Sequence, residues 1–369
     1  MAMTNMQASG GTNGAIVPDV AARELLLRRM SDLAVMPPGR LTAQERGLID
    51  SVVATAITRL DVQTRRRLAD RVAQLPEGPG ELTLTLARDE YAVAEPVLRG
   101  SSGLQASDLV QIIRESDHDK HHAIAQRKNI PGAVVDALIE YADCDALVSM
   151  LNNPASEISN RSLEILVRRS ASEPALQDPL LTRTELSMRM AQVMFWWVGP
   201  EARLEILTRY SVERRQLYAA LDEVLESGLA ASGTDDGLKA ALSLVCTPVP
   251  ATRQQIARLI DFATRHQRDE FIADMSFTGR VRPETAFRIF SDLGGEPLAV
   301  FGKAIGMSRT DFGDLLTAFA SLRGIDPDGN AGFKRIRMVF DMISNDRADF
   351  ALHSWDWAIS AEAQLPIEE

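Results

Sequence analysis

Four segments of the chain share one pattern of apolar residues at a nearly constant interval. They begin at residues 103, 129, 157 and 185 and read GLQASDLVQIIRE, NIPGAVVDALIEY, EISNRSLEILVRR and ELSMRMAQVMFWW. The second position of each segment holds Leu104, Ile130, Ile158 and Leu186, and the seventh holds Leu109, Val135, Leu163 and Ala191. The tenth and eleventh positions are apolar in every segment. Because apolar residues spaced by three and four lie on one face of a helix, the pattern predicts four related amphipathic helices.

Each of these predicted helices is preceded by a shorter apolar segment: YAVAEPVL, HHAIAQR, DALVSMLNN and EPALQDPLL. The third position of the later windows holds Pro131, Ser159 and Ser187, which are residue types that begin helices. Two short helices cannot bury an apolar face alone, so neighbouring pairs must stack. The sequence therefore predicts an all-α fold, an α-α superhelix that forms a HEAT-like solenoid of short helix pairs.

The predicted organisation follows the breaks in this pattern. PEGPGE at 76–81 is rich in proline and glycine, and TPVPATR at 247–253 is rich in proline and threonine. Such compositions are typical of segments between helices. We expect a flexible tail over 1–18, an N-terminal helical lead-in over 19–75 and the helical-repeat array over 76–228. A linker region over 229–253 then leads to a C-terminal helical segment over 254–369 that continues or caps the array.

Composition restricts the classes of function. The net charge is -11, which argues against binding nucleic acid over the whole molecule. No apolar run is long enough for a membrane span, and the first residues lack the basic and apolar segments of a signal peptide. Cys144 and Cys246 are far apart and form no metal-binding or redox motif. The sequence thus predicts a cytoplasmic protein without a membrane segment.

The segment SDHDKHHAIAQR holds three of the five histidines. His118, His121 and His122 stand at i, i+3 and i+4, so a helix would place them on one side. His118 and His122 also have the spacing of the zinc-protease motif H-E-x-x-H, with Asp119 where the motif has its glutamate. This spacing raises the hypothesis of a metal site.

A structural role for these histidines is the interpretation that we favour. His121 shares a helical stripe with Ile124 and Ala125, which the repeat needs for packing. Aspartate is one methylene shorter than the glutamate base, and no third ligand is visible in the pattern. Ser116 is predicted to cap a helix that starts at Asp117. No metal, cofactor or catalytic residue is assigned, and a metal or proton site at the histidines stays an alternative.

The motifs DEYAVAEPVL, AIAQR and NNPASEIS, in this order and spacing, resemble the bacterial family called domain of unknown function 2336. The similarity covers about residues 40–330 and is strongest over 85–195. It implies a HEAT-like helical array in a bacterial cytoplasm and implies no activity. Arg127 and Asn153 lie in the most similar part, where we expect both to hydrogen-bond carbonyls at the ends of stacked helices.

The function that we expect is a non-enzymatic protein-interaction scaffold or regulatory adaptor, because helical arrays offer long surfaces for partners. The candidate partner-binding residues are the non-core positions of the predicted helices: Asp136, Glu140, Arg161, Glu164, Arg168 and Arg189. Trp355 and Trp357 are two residues apart and cannot share a helical face, so one should be exposed. The alternatives are a metal- or pH-responsive sensor or enzyme that uses His118, His121 and His122, and a nucleic-acid-binding helical-repeat protein.

Overall fold

A computed structural model describes residues 42–76, 78–211, 250–324 and 331–362, together with residues 25, 29 and 32–35. Nearly all of these residues are helical, and no strand occurs among them; Ile130 and Ser156 form an isolated bridge. The prediction of an all-α fold is confirmed, while the superhelical arrangement stays a prediction. The chain forms two compact units, residues 1–162 and 163–369.

The first unit contains eight described helices of 8 to 14 residues and the start of a ninth. They are α1 (Ala43–Ala56), α2 (Val62–Ala73), α3 (Gly80–Arg88), α4 (Tyr91–Gly100), α5 (Ala106–Glu115), α6 (His118–Ala125), α7 (Gly132–Tyr141), α8 (Cys144–Leu151) and α9 (Asn160–Arg169). From α1 to α8, each helix packs on the next helix but one. Up to α8, odd-numbered helices therefore pack on odd-numbered helices and even-numbered helices on even-numbered ones.

The repeated apolar positions form the core, as predicted. Every residue of the second, seventh, tenth and eleventh positions in the four segments is buried. The predicted helix starts are also found: Pro131 directly precedes α7, and the Ser159 and Ser187 hydroxyls accept hydrogen bonds from backbone N–H groups three residues on. One predicted start is wrong. Asp117, not Ser116, is the N-cap of α6, because the Ser116 hydroxyl donates instead to the carbonyl of Ile112 at the end of α5.

Arg127 and Asn153 join successive helix ends of the first unit, and their predicted role is confirmed. The buried Arg127 guanidinium donates to the carbonyls of Leu98 and Ser101, where α4 ends. The Asn153 amide in turn donates to the carbonyl of Arg127 at 2.6 Å. Since the last carbonyls of a helix have no partner within the helix, both side chains supply the missing donors. Burial lowers the pKa of Arg127.

The second unit contains the rest of α9 and ten further described helices of 6 to 18 residues, of which the last is the longest. After α9 come α10 (Gln177–Thr182), α11 (Met188–Met194), α12 (Pro200–Arg209), α13 (Arg253–Thr264), α14 (Arg268–Gly279), α15 (Pro283–Ser291), α16 (Glu296–Ala304), α17 (Arg309–Arg323), α18 (Ala331–Met342) and α19 (Asn345–Glu362). Single 3-10 turns occur at Ile57–Arg59 in the first unit and Pro174–Leu176 in the second. No described helix is both long and apolar enough to cross a membrane.

Helix α19 lies at the centre of the second unit. It packs on α11, α12, α15 and α16. Its Trp355 is fully buried, with its ring centroid 4.6 Å from that of Phe195 and its indole N–H donating to the Gln192 side chain at 3.0 Å. A buried tryptophan usually lies among apolar or aromatic side chains with its indole N–H hydrogen-bonded, as Trp355 does.

The division between the two units falls within the array predicted over 76–228. The predicted tail over 1–18 and most of the predicted linker over 229–253 lie outside the described residues. The same holds, except for Ser211, for SVERRQLYAALDEVLESG at 211–228, whose apolar spacing predicts a helix. The predicted boundaries of those segments therefore stay predictions.

Candidate functional site

Helix α9 presents three of the candidate partner-binding residues on one face. Arg161, Glu164 and Arg168 are all exposed, and they stand at i, i+3 and i+7, so they lie along one line of the helix. Ile165 lies between them and is 43% exposed. None of the three charged side chains forms an ion pair or hydrogen bond with another described residue. We call these four residues the α9 face.

The other candidate residues have partners within their own unit. Asp136 is exposed, but its carboxylate accepts a hydrogen bond from the Ser162 hydroxyl at 2.7 Å. The side-chain hydrogen bond with Glu140 raises the pKa of Tyr141. The side chains of Asp136 and Glu140 therefore already interact with other residues of the first unit.

Arg189 lies over the ring of Trp357, with its guanidinium carbon 3.9 Å from the ring centroid. Trp357 is 53% exposed while Trp355 is buried, so the prediction that one of the two is exposed is confirmed. A guanidinium stacked on an indole gains an electrostatic attraction to the ring face. Arg189 and Trp357, which the sequence indicated as two separate candidates, thus contact each other in the second unit.

The three histidines on α6 each contact a different residue. His121 is buried, and its Nε2 lies 2.8 Å from the Ile113 carbonyl oxygen; because a carbonyl only accepts, Nε2 donates. His122 Nε2 lies 2.9 Å from the Ser149 hydroxyl. His118 is 73% exposed and pairs with Asp143 at 3.2 Å. Packing beside Ile124 and Ala125, both buried, agrees with the structural interpretation of His121.

Within the described parts of the chain, no three His, Cys, Asp or Glu side chains gather as a metal ion would need. His118 and His121 have ring centroids 6.4 Å apart at nearly a right angle. The zinc-protease spacing of His118 and His122 is therefore not accompanied here by a third ligand side chain.

A buried network of charges in the second unit was missed by the sequence reasoning. The Arg203 guanidinium on α12 binds both carboxylate oxygens of Asp292, at 2.7 and 3.0 Å, and the Glu296 carboxylate at 2.8 Å. Glu296 also accepts from Arg335 at 2.6 Å. Burial acts to lower the pKa of Arg203, but the hydrogen bonds and charges of Asp292 and Glu296 raise it overall, so the guanidinium stays charged.

Gly294 and Gly295 allow this network to form between α15 and α16. A β-carbon on Gly294 would overlap with Glu296 Oε2 and stand 2.6 Å from Arg203 Nη1. Gly295 has φ +79, a backbone conformation that side chains rarely adopt, and its N–H donates to Asp292. No local sequence pattern indicates this role of the two glycines, because Arg203 is 89 residues from Asp292 in the chain.

A cleft of about 470 Å³ lies beside the network. Its apolar lining consists of Trp196, Val198, Pro200 and Leu293, and its charged lining of Arg203, Arg288, Asp292 and Glu296. The Arg288 guanidinium lies over the Trp196 ring, 4.5 Å from its centroid. We call this the α12–α15 cleft; it is shallow and widely open to solvent.

The fold and these features define an all-α protein with a charged helix face and an arginine-lined cleft. It belongs to the family described as "Uncharacterised protein conserved in bacteria (DUF2336)", whose family model matches residues 93–353, well over half of the chain. Membership confirms the resemblance seen in the sequence motifs, and the matched residues include the α9 face and the cleft. No curated protein and no solved structure matches the chain.

Proposed function

We propose that this protein is a non-enzymatic interaction scaffold or regulatory adaptor that binds a protein partner through the α9 face. The observation that supports the proposal most is the exposed line of Arg161, Glu164, Ile165 and Arg168. Its charges have no partner within the described residues, so a second protein could pair with them without breaking existing contacts.

The chemistry of the α9 face defines the partner. Arg161 and Arg168 are seven residues apart, which places them about 10 Å apart along the helix axis. A complementary surface would present two carboxylates at that separation, a basic group facing Glu164, and an apolar side chain against Ile165. Charge complementarity of this kind fixes the register of a partner and accelerates its encounter more than it tightens the complex.

The packing of the first unit supports a scaffold role. Helices that pack on the next helix but one produce layers that lengthen as pairs are added. We propose that this stacking continues as the HEAT-like superhelix that the repeat predicts. Such arrays present extended surfaces for protein partners.

The test is an affinity capture from native bacterial lysate with a charge-reversed variant, Arg161→Glu with Glu164→Arg and Arg168→Glu. We expect the variant to keep the helicity and melting temperature of the wild type, because the substituted side chains are exposed and unpaired. We expect it to lose the proteins that the wild type retains, as identified by mass spectrometry.

The matched control is Arg66→Glu with Arg67→Glu and Asp70→Arg on α2. These residues are also exposed, and their reversal changes the net charge by the same amount. Retention of the same partners by both variants would place recognition elsewhere. Nuclease treatment of the lysate separates the alternative function, since a nucleic-acid-binding protein would lose its retained material on that treatment.

A further inference from the structure

We propose that Arg189 and Trp357 form a second docking surface, which binds a segment of a partner protein that carries a carboxylate next to an aromatic or aliphatic side chain. We call it the Arg189–Trp357 surface. The inference goes beyond the scaffold function, because this surface lies within the second unit and shares no residue with the α9 face. It is based on an exposed tryptophan, on a guanidinium whose donors no described residue uses, and on the charges around the two.

Trp357 is exposed although it lies on α19, the helix that fills the core of the second unit. More than half of its surface contacts water, at 53% exposure, whereas Trp355, two residues earlier, is fully buried. Tryptophan is among the residue types that contribute most to binding at protein interfaces, because a large ring covers much area with few rotatable bonds. A partner that covers the Trp357 ring would remove apolar surface from water, which favours binding.

The Arg189 guanidinium carries donors that are available to a partner. Its central carbon lies over the Trp357 ring, 3.9 Å from the ring centroid. This contact uses the face of the guanidinium, whereas its N–H groups point outward in the guanidinium plane. Arg189 is exposed, and it forms no hydrogen bond or ion pair with any residue that the structure describes. Its N–H groups can therefore bind a carboxylate through two parallel hydrogen bonds.

The two acidic residues nearest in the chain to this surface, among those described, each have an arginine of their own. The Asp356 carboxylate lies 3.9 Å from the Arg282 guanidinium and also accepts the backbone N–H of Arg282 at 2.6 Å. Glu185 is bound by Arg183 at 2.6 Å. Only the positive charge of Arg189 is left without a carboxylate here. A partner carboxylate at Arg189 would therefore complete an ion pair without displacing another one.

The contact between Arg189 and Trp357 also prepares both side chains for binding. The attraction between a cation and a ring face holds the two together before a partner arrives. Side chains that are already ordered lose less conformational entropy when a complex forms. A single arginine without a carboxylate matches the side chain of one acidic residue, whereas nucleic-acid binding uses a row of cations along the phosphates. The surface therefore fits a protein segment better than a nucleic acid.

The experiment is a fluorine NMR titration of the full chain, produced with fluorotryptophan at its four tryptophan positions. The probe is the peptide acetyl-SEFLES-amide, in which carboxylates flank an aromatic and an aliphatic side chain. Trp357→Phe identifies the signal of Trp357, because this variant lacks that signal. We expect the probe to shift the Trp357 signal saturably, with a Kd in the high micromolar to low millimolar range, since a contact of this size provides little binding free energy.

Two further peptides separate the parts of the recognition. The uncharged analogue acetyl-SQFLQS-amide should bind about threefold to tenfold more weakly, because hydrogen bonds to a charged acceptor are the stronger ones. The analogue acetyl-SEGSES-amide lacks the apolar side chains and should also bind more weakly than the probe. A short oligothymidylate tests for nucleic acid. If the probe leaves the Trp357 signal unchanged, if either analogue binds as well as the probe, or if the oligothymidylate binds more tightly, the proposal is wrong.

Variants locate the binding. Arg189→Gln keeps the Trp357 signal and removes the charge, so it should weaken probe binding by about threefold to tenfold, to the level of the uncharged peptide. Arg114→Gln is the matched control, because Arg114 is also exposed and lies over an aromatic ring, that of Tyr141 in the first unit. It should leave probe binding unchanged. Probe binding that is as tight in Arg189→Gln as in the wild type would overturn the assignment of this surface.

The result is independent of the scaffold proposal. The charge-reversed α9 variant retains Arg189 and Trp357, so we expect it to bind the probe as the wild type does. Loss of probe binding in that variant would contradict a separate surface in the second unit. Conversely, failure of the α9 variant to change the captured proteins would leave the titration of the Trp357 signal unaffected.

Discussion

At the scale of single residues, one histidine of the cluster on α6 matters for stability and another does not. His121 is buried and hydrogen-bonded to the Ile113 carbonyl, whereas His118 is mostly exposed and pairs with Asp143 at the surface. The sequence places both on one side of a helix, and it puts His121 on the packing stripe of Ile124 and Ala125, but it does not show which group His121 would hydrogen-bond. That group belongs to the neighbouring helix α5, whose last carbonyls face His121.

We predict that His121→Ala lowers the free energy of unfolding by about 2–4 kcal/mol, because it leaves a cavity and an unpaired carbonyl. The measurement is urea denaturation followed by far-UV circular dichroism. His118→Ala is the control and should change stability by less than about 0.5 kcal/mol, since an exposed ion pair contributes little. Equal effects of the two substitutions would contradict the structural role of His121.

Residue types at helix ends were predictable where the partner is local. Ser187 caps α11 through a backbone N–H three residues away. Arg127, by contrast, binds carbonyls 26 and 29 residues away, and its role was expected because it lies in the part of the chain most similar to the family. Ser116 was predicted wrongly, because a serine between two helices can bond backward as easily as forward. Its hydroxyl binds the Ile112 carbonyl, and nothing in the sequence decides between the two directions.

At the scale of elements, the turn between α15 and α16 depends on Gly294. The side chains of Arg203, Asp292 and Glu296 lie so close to it that a β-carbon would displace them. Sequence analysis recognised the repeated helices because their spacing is local, but it could not find this turn's role. Asp292 and Glu296 meet Arg203 only after the second unit has folded, across 89 and 93 residues of chain.

We predict that Gly294→Ala lowers the free energy of unfolding by about 1–3 kcal/mol, because a methyl group would separate Arg203 from Glu296 and remove the hydrogen bond between these two buried charged groups. The matched control is Gly313→Ala in α17, where no atom lies within 4 Å of the new β-carbon. That change should stabilise the protein by about 0.5–1 kcal/mol, since alanine favours helix. Differential scanning calorimetry of both variants is the measurement, and a neutral Gly294→Ala would show that the network can rearrange.

At the scale of the whole molecule, the class of fold was predictable from the sequence and the division into units was not. Apolar spacing of three and four residues specifies helices wherever they lie. The boundary near residue 162 is set by which helices pack together, and the repeat pattern continues through it.

We predict a far-UV circular dichroism spectrum dominated by helix, because helices account for most of the described residues. Strand content above about a tenth would contradict the all-α fold, as ordinary globular proteins average about a quarter. The same spectrum recorded for the charge-reversed α9 variant and its α2 control shows whether either set of substitutions disturbs folding.

The packing of each helix on the next but one also has a consequence for how the chain folds. In the first unit, contacts such as Arg65 with Asp89 and Arg127 with Ser101 join residues 24 and 26 positions apart. Contacts between residues close in sequence form quickly, so the first unit can fold one helix pair after another during translation. The second unit forms its core later, because Gln192 meets Trp355 across 163 residues and α19, which fills that core, is synthesised after all the helices on which it packs.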